Sequence, residues 1–135
     1  MSNQTEIKSR TILIVDDDED FRLQLKLQLE ADGHSVFEAE NPAEAEEALK
    51  DRKADLAIVD LMMDEMDAGF TLCYHLKKNY PDMPVIMATA VASEAGLGFD
   101  TATDEERSWV KADALLNKPI RPEQLRKEML RLLKD

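Results

Sequence analysis

Thr11-Ile-Leu-Ile-Val15, followed at once by Asp16-Asp17-Asp18-Glu19-Asp20, is the stretch whose reading decides the fold. A short, β-branched apolar run that stops at a block of acids reads as a buried strand with its polar end at a sheet edge. Two other runs look alike: Ala54–Val59 (ADLAIV) and Pro84–Ala88 (PVIMA). Ser35–Ala39 and Ala114–Asn117 are weaker candidates of the same kind.

Helical stretches lie between these runs. Asn41-Pro42 supplies an N-cap and a proline at the first helical position, opening Ala43–Lys50. Gly69–Asn79 carries Leu72, Cys73 and Leu76 at helical spacing, and Pro81 and Pro84 end it. Thr103-Asp104-Glu105-Glu106 fits a capping box for a short helix through Val110. Pro122 starts the last helix, where Leu125, Met129, Leu132 and Leu133 form an apolar stripe. One segment is ambiguous by period alone. Phe21, Leu23, Leu25, Leu27 and Leu29 alternate with polar residues, as a strand would. Yet Asp20 to Asp32 has no β-branched residue and is rich in Leu, Gln, Lys and Glu, which favour helix. Helix is the reading adopted. The order is then β-α repeated five times, which implies an α/β, doubly wound parallel sheet covered on both faces.

Composition narrows the class. The chain has 135 residues, enough for one domain, with a polar lead over Met1–Arg10 expected to be flexible and a single domain over 11–135. Its formal net charge of −12 repels phosphate backbones and anionic lipid, so neither nucleic-acid nor membrane-surface binding is expected. The lone Cys73 closes no internal disulfide, no apolar run approaches the roughly 20 residues of a membrane span, and no secretory signal opens the chain. The expected location is cytoplasmic.

In open parallel sheets, ligands bind outside the C-terminal ends of the strands. Those ends carry Asp16-Asp17-Asp18, Asp60, Thr89 and Lys118-Pro119, so carboxylates, a hydroxyl and an ammonium converge from four distant places. Two carboxylates ~4 Å apart repel by roughly 4 kcal/mol at an effective dielectric of 20. Either protons stay on, or a cation sits among them. Hard oxygens on an open edge suit Mg²⁺, which keeps waters and accepts phosphate oxygens. With an ion and a lysine beside it, such a site can neutralise a transferring phosphoryl group, and a carboxylate can itself be the acceptor.

This constellation resembles the receiver domain of two-component response regulators over about Thr11 to Lys134. The resembling motifs are ILIVDDDED, DLAIVDLMM, PVIMATA and LLNKPI, in the family's order and near its spacing. The resemblance implies a flavodoxin-like (βα)5 fold with strand order 2-1-3-4-5. It implies Asp60 as phosphoacceptor and a Mg²⁺ cofactor held by Asp16, Asp17, Asp60 and the backbone carbonyl of Met62. It gives Thr89 and Lys118 to the phosphoryl oxygens and makes Lys118-Pro119 a cis peptide. A sensor histidine kinase or phosphotransfer protein would be the phosphoryl donor in a phosphorelay. The phosphorylated form would bind its downstream protein partner through the fourth helix, fifth strand and fifth helix, a face that includes Trp109, Leu115 and the loop from Val91 to Ala102. A phosphorylation-dependent homodimer is compatible with that face. The module would not be an enzyme beyond accepting and slowly losing its own phosphoryl group.

The departures are specific. Leu115 stands where the family usually has a switch aromatic, and Asp64 where it often has a proline. The stretch from Thr89 to Lys118 is longer than usual, and the chain ends one helix after Lys118, which reads as a stand-alone receiver. Apolar Met62 and Val91, two residues after Asp60 and Thr89, should order attacking water poorly and lengthen the life of the acyl phosphate. Two other readings stand beside this one. A small haloacid-dehalogenase-like Mg²⁺ phosphatase shares the strand-end Asp, and Asp16-x-Asp18 matches its opening motif, but that fold wants more chain and an insertion after the first strand. A receiver-like docking module without phosphorylation is the other.

Several residues have plain structural readings. Asp18, Glu19 and Asp20 suit a helix start, as do Asp104, Glu105 and Glu106. Cys73 reads as a small core hydrophobe, Met62, Met63 and Met66 as packing, and Trp109 as a helix anchor. His34 and His75 lack metal-ligand spacing and are expected on the surface.

Overall fold

β1 (Thr11–Val15) is an interior strand, second from one edge, of a five-stranded sheet in the computed structural model, which describes residues 9–60, 68–89 and 112–133. The other elements follow in chain order: α1 (Glu19–Ala31), β2 (Ser35–Ala39), α2 (Pro42–Asp51), β3 (Leu56–Asp60), α3 (Ala68–Asn79), β4 (Val85–Thr89), β5 (Ala114–Asn117) and a C-terminal helix (Pro122–Leu132). The strands lie in the order β2-β1-β3-β4-β5, every pair parallel. This is the expected doubly wound arrangement. The predicted helix ending at Val110 lies outside the described residues.

Alternation along each strand sends neighbouring side chains to opposite faces, so the sheet has two cores. Leu13 and Val15 of β1 join Phe37, Ala45, Leu49, Val59, Leu72, Leu76 and Met87 on the side of α2 and α3. Ile12 and Ile14 join Leu25, Leu29, Ile58, Ile86, Leu116, Leu125 and Met129 on the side of α1 and the C-terminal helix. Cys73 is a buried member of the first core, and burial pushes its thiol up to about 12, so it is a hydrophobe and not a nucleophile.

The leucine-rich segment is helical, as composition indicated. Leu25 and Leu29 are 3% and 1% exposed, whereas Leu23 and Leu27 are 52% and 58% exposed. The strand-like alternation came from two leucines on the solvent face. Asp18 caps the helix, accepting from the amides of Asp20 (3.0 Å) and Phe21 (3.2 Å). Asn41 caps α2 in the same way, accepting from Glu44 at 2.8 Å. Each cap satisfies amides that have no partner in the first helical turn.

Two expectations shift. β3 and β4 begin and end one or two residues later than read, so Asp60 and Thr89 are the last residues of their strands, in register with Ala88 and Asn117. His34 is buried, not on the surface. Gly33, at a φ of 92°, turns the chain after α1 so that His34 points inward. There its Nδ1 accepts the Arg10 amide at 3.0 Å, Ser9 Oγ donates to the Gly33 carbonyl at 2.6 Å, and the Ser35 amide donates to the Arg10 carbonyl at 2.9 Å. Burial, opposed by Asp32 and aided by Arg10, lowers the His34 pKa. His75 is half exposed, 3.3 Å from Glu46. No helix among the described residues is long and apolar enough to cross a membrane.

Candidate functional site

The C-terminal ends of β1 and β3 are adjacent, because the strand order places β3 beside β1. Asp16 follows β1 directly, and its amide extends the ladder by donating to the Ala39 carbonyl at 3.1 Å. Asp60 ends β3. Both carboxylates are buried, whereas Asp17 is exposed. Oxygens from Asp16, Asp17 and Asp60 lie within 4.8 Å of one another.

Lys118 enters from the end of β5. Its Nζ is 2.7 Å from Asp16 Oδ2 and 3.4 Å from Asp60 Oδ1. Burial pulls the lysine pKa down, but Asp16 and Asp60 outweigh it, and the ammonium titrates above its ordinary value. It is charged at neutral pH. Lys118-Pro119 is cis, as expected.

α1 braces this cluster in ways the sequence reading missed. The Asp18 amide donates to Asp16 Oδ1 at 2.8 Å. An Arg22 guanidinium nitrogen donates to the Asp16 carbonyl, while Arg22 Nε donates to Glu38 Oε1 at 3.1 Å. Phe21 lies with its ring centroid 4.3 Å from Lys118 Nζ, a cation–π contact. The available signal was position: Phe21 and Arg22 sit in the first turns of a helix that begins three residues after Asp16. That immediate entry into α1 leaves no room for the insertion a dehalogenase-like fold requires after β1.

Three oxygen donors, two buried and one facing solvent, form a hard, anionic, one-sided set. That chemistry fits Mg²⁺, which prefers a few carboxylates and retains water on its open side. Thr89 is placed at the end of β4, beside β3. Of the other predicted site residues, Met62 lies outside the described residues, as do Val91 and Trp109.

Comparison with known proteins agrees with this architecture. The family model of the response regulator receiver domain matches residues 12–130. The transcriptional regulatory protein GltR of Pseudomonas aeruginosa is 33% identical over 129 residues, 93% of this chain and 49% of that protein. The transcriptional regulatory protein GlrR of Escherichia coli (strain K12) is 45% identical over 86 residues, 64% of this chain and 19% of that protein. The chain thus spans half or less of the length of these relatives. Among solved structures, a CheY-like response regulator receiver domain protein from Methanospirillum hungatei JF-1 superposes with a TM-score of 0.75 at 28% identity, covering 93% of this chain and 94% of that one. A putative response regulator from Chloroflexus aurantiacus J-10-fl gives 0.77 at 28% identity, covering 95% and 100%.

Proposed function

This chain belongs to the response regulator receiver domain family, and from that premise we propose that Asp60 takes a phosphoryl group with Mg²⁺ bound beside it. The observation that carries the reading is the pairing of one partly buried ammonium with two buried carboxylates, next to a third that faces solvent. Asp16, Asp17 and Asp60, with the Met62 carbonyl, are the proposed ligands of the ion. When bound, the ion supplies charge neutralisation for the phosphoryl oxygens.

The rest is the work of the chain's own groups. A P–N bond of a phosphohistidine donor, or a P–O bond of a small acyl phosphate, breaks as an Asp60 oxygen bonds to phosphorus. Lys118 and Thr89 are the proposed partners of the phosphoryl oxygens. A sensor histidine kinase or phosphotransfer protein is the proposed donor, and a protein bound through the face of β5 and the C-terminal helix the proposed recipient of the signal. We assign residues 11–135 to the receiver and 1–10 to a lead before it, with the cytoplasm as its place. The reading of no nucleic-acid contact applies to these 135 residues; the relatives named as transcriptional regulators are longer than the stretch they share with them.

The test is incubation with a small acyl phosphate and Mg²⁺ followed by mass analysis. One phosphoryl group is expected on the native chain and none on Asp60→Asn. Equal labelling of both would refute the assignment, and sustained turnover of a phosphomonoester would point to a phosphatase instead.

A further inference from the structure

We propose that Phe21 is a positioning residue for Lys118, its ring forming the floor over which the ammonium moves between Asp16 and Asp60. The inference rests on the reading of Asp60 as phosphoacceptor and adds to it a residue that reading does not use. One ammonium has three attractors: Asp16 Oδ2 at 2.7 Å, Asp60 Oδ1 at 3.4 Å and the Phe21 ring at 4.3 Å. The ring is itself anchored. It packs against the core formed by α1 and the C-terminal helix, and the Phe21 amide donates to the capping Asp18 carboxylate. It is therefore a fixed surface and not a mobile lid.

The two carboxylates alone do not define a working position. Both belong to the acidic cluster that suits a divalent ion, and Asp16 cannot serve an ion and the ammonium equally. The ring is uncharged and no ion competes for it. Its negative face holds the ammonium near Asp60 when Asp16 is otherwise engaged. The inward stripe of α1, Leu25 and Leu29, continues one turn to Phe21, which accounts for an apolar residue there. It does not account for a π face turned to a cation; a leucine would fill the space and provide none.

The test uses the full chain in two series. Phe21→Leu removes the ring. Mono-, di- and trifluorophenylalanine at position 21 keep its shape and progressively drain charge from its face. Labelling of Asp60 by acetyl phosphate with Mg²⁺ gives one readout. The other, without metal, is the NMR shift of the Lys118 ε-methylene protons, which lie upfield when held over a ring. Phe21→Leu is expected to slow labelling roughly 2- to 30-fold and abolish the upfield shift. The fluorinated series should slow labelling stepwise at an unchanged urea midpoint. A flat series, or a native chain whose Lys118 protons show no upfield shift, overturns the role of Phe21 even where labelling is normal. A native chain that takes no label overturns the phosphoacceptor reading and this role with it, and the NMR shift then reports separately whether the ring contact exists.

Discussion

Replacing Lys118 by alanine removes the ammonium that pairs with both Asp16 and Asp60. At an effective dielectric of 20, Coulomb's law gives about 6 kcal/mol for a charge pair at 2.7 Å and about 5 kcal/mol for one at 3.4 Å. Those gross attractions are offset by the cost of desolvating the ammonium. Breaking a buried ion pair by removing one partner costs about 3–5 kcal/mol net. Lys118→Ala is therefore expected to lose about that much stability in chelator, measured by urea unfolding. Added Mg²⁺ should return more stability to the variant than it adds to the native chain, because the ion then no longer competes with the Lys118 ammonium for Asp16 and Asp60. Linkage makes the gain about 2.7 kcal/mol at 100 times the dissociation constant, so titrating Mg²⁺ resolves the two proteins. The variant should bind Mg²⁺ yet lose most of its conformational response to phosphorylation. Equal increments from Mg²⁺ in both proteins would refute the claim that lysine and ion share the same oxygens.

Four shorter predictions accompany it. The folded pKa of His34 is lowered, so the unfolded chain binds its proton first; stability is whole above the ordinary histidine range and declines as pH falls through it. His34→Gln, which keeps an acceptor for the Arg10 amide, should flatten the urea midpoint between pH 7 and about 5.5. Arg22→Ala should cost about 1–3 kcal/mol by releasing the Asp16 carbonyl and Glu38, and Arg22→Lys should recover only part of it, which thermal unfolding checks. Leu25→Ala should cost about 2–5 kcal/mol while Leu27→Ala stays within about 0.5 kcal/mol; similar losses at both would contradict the helix orientation. If apolar Met62 and Val91 order water poorly, the Asp60 acyl phosphate should outlast a chase of many minutes, and decay within seconds in purified protein with Mg²⁺ would refute that.

The elements were legible where local chemistry and tertiary packing agree. TILIV is an interior strand because every residue in it is apolar or β-branched, and Ile12 to Val15 are all buried. Asn41-Pro42 and Asp18 mark helix starts because capping is a property of two or three neighbouring residues. His34 was misjudged for the opposite reason. A polar ring is admitted to the interior only if something accepts or donates to it, and its partner, the Arg10 amide, lies 24 residues away. No window of sequence around His34 contains that bond.

The site divides along the same line. A parallel sheet with alternating crossovers must gather the C-terminal ends of its strands at one edge, so Asp16, Asp60, Thr89 and Lys118 can be named from the sequence pattern alone. Which of them touch cannot. The resemblance gives Lys118 to the phosphoryl oxygens and names no acid for it, whereas the structure gives it Asp16 first and Asp60 second. Phe21 was hidden for a further reason: with Leu25 and Leu29 it forms an apolar stripe at helical spacing, and that stripe already accounts for it. A residue with a complete local reason to exist offers no residual signal of a second role. Only the approach of the first turn of α1 to the end of β5 reveals it, and that approach belongs to the order of strands, not to any run of residues.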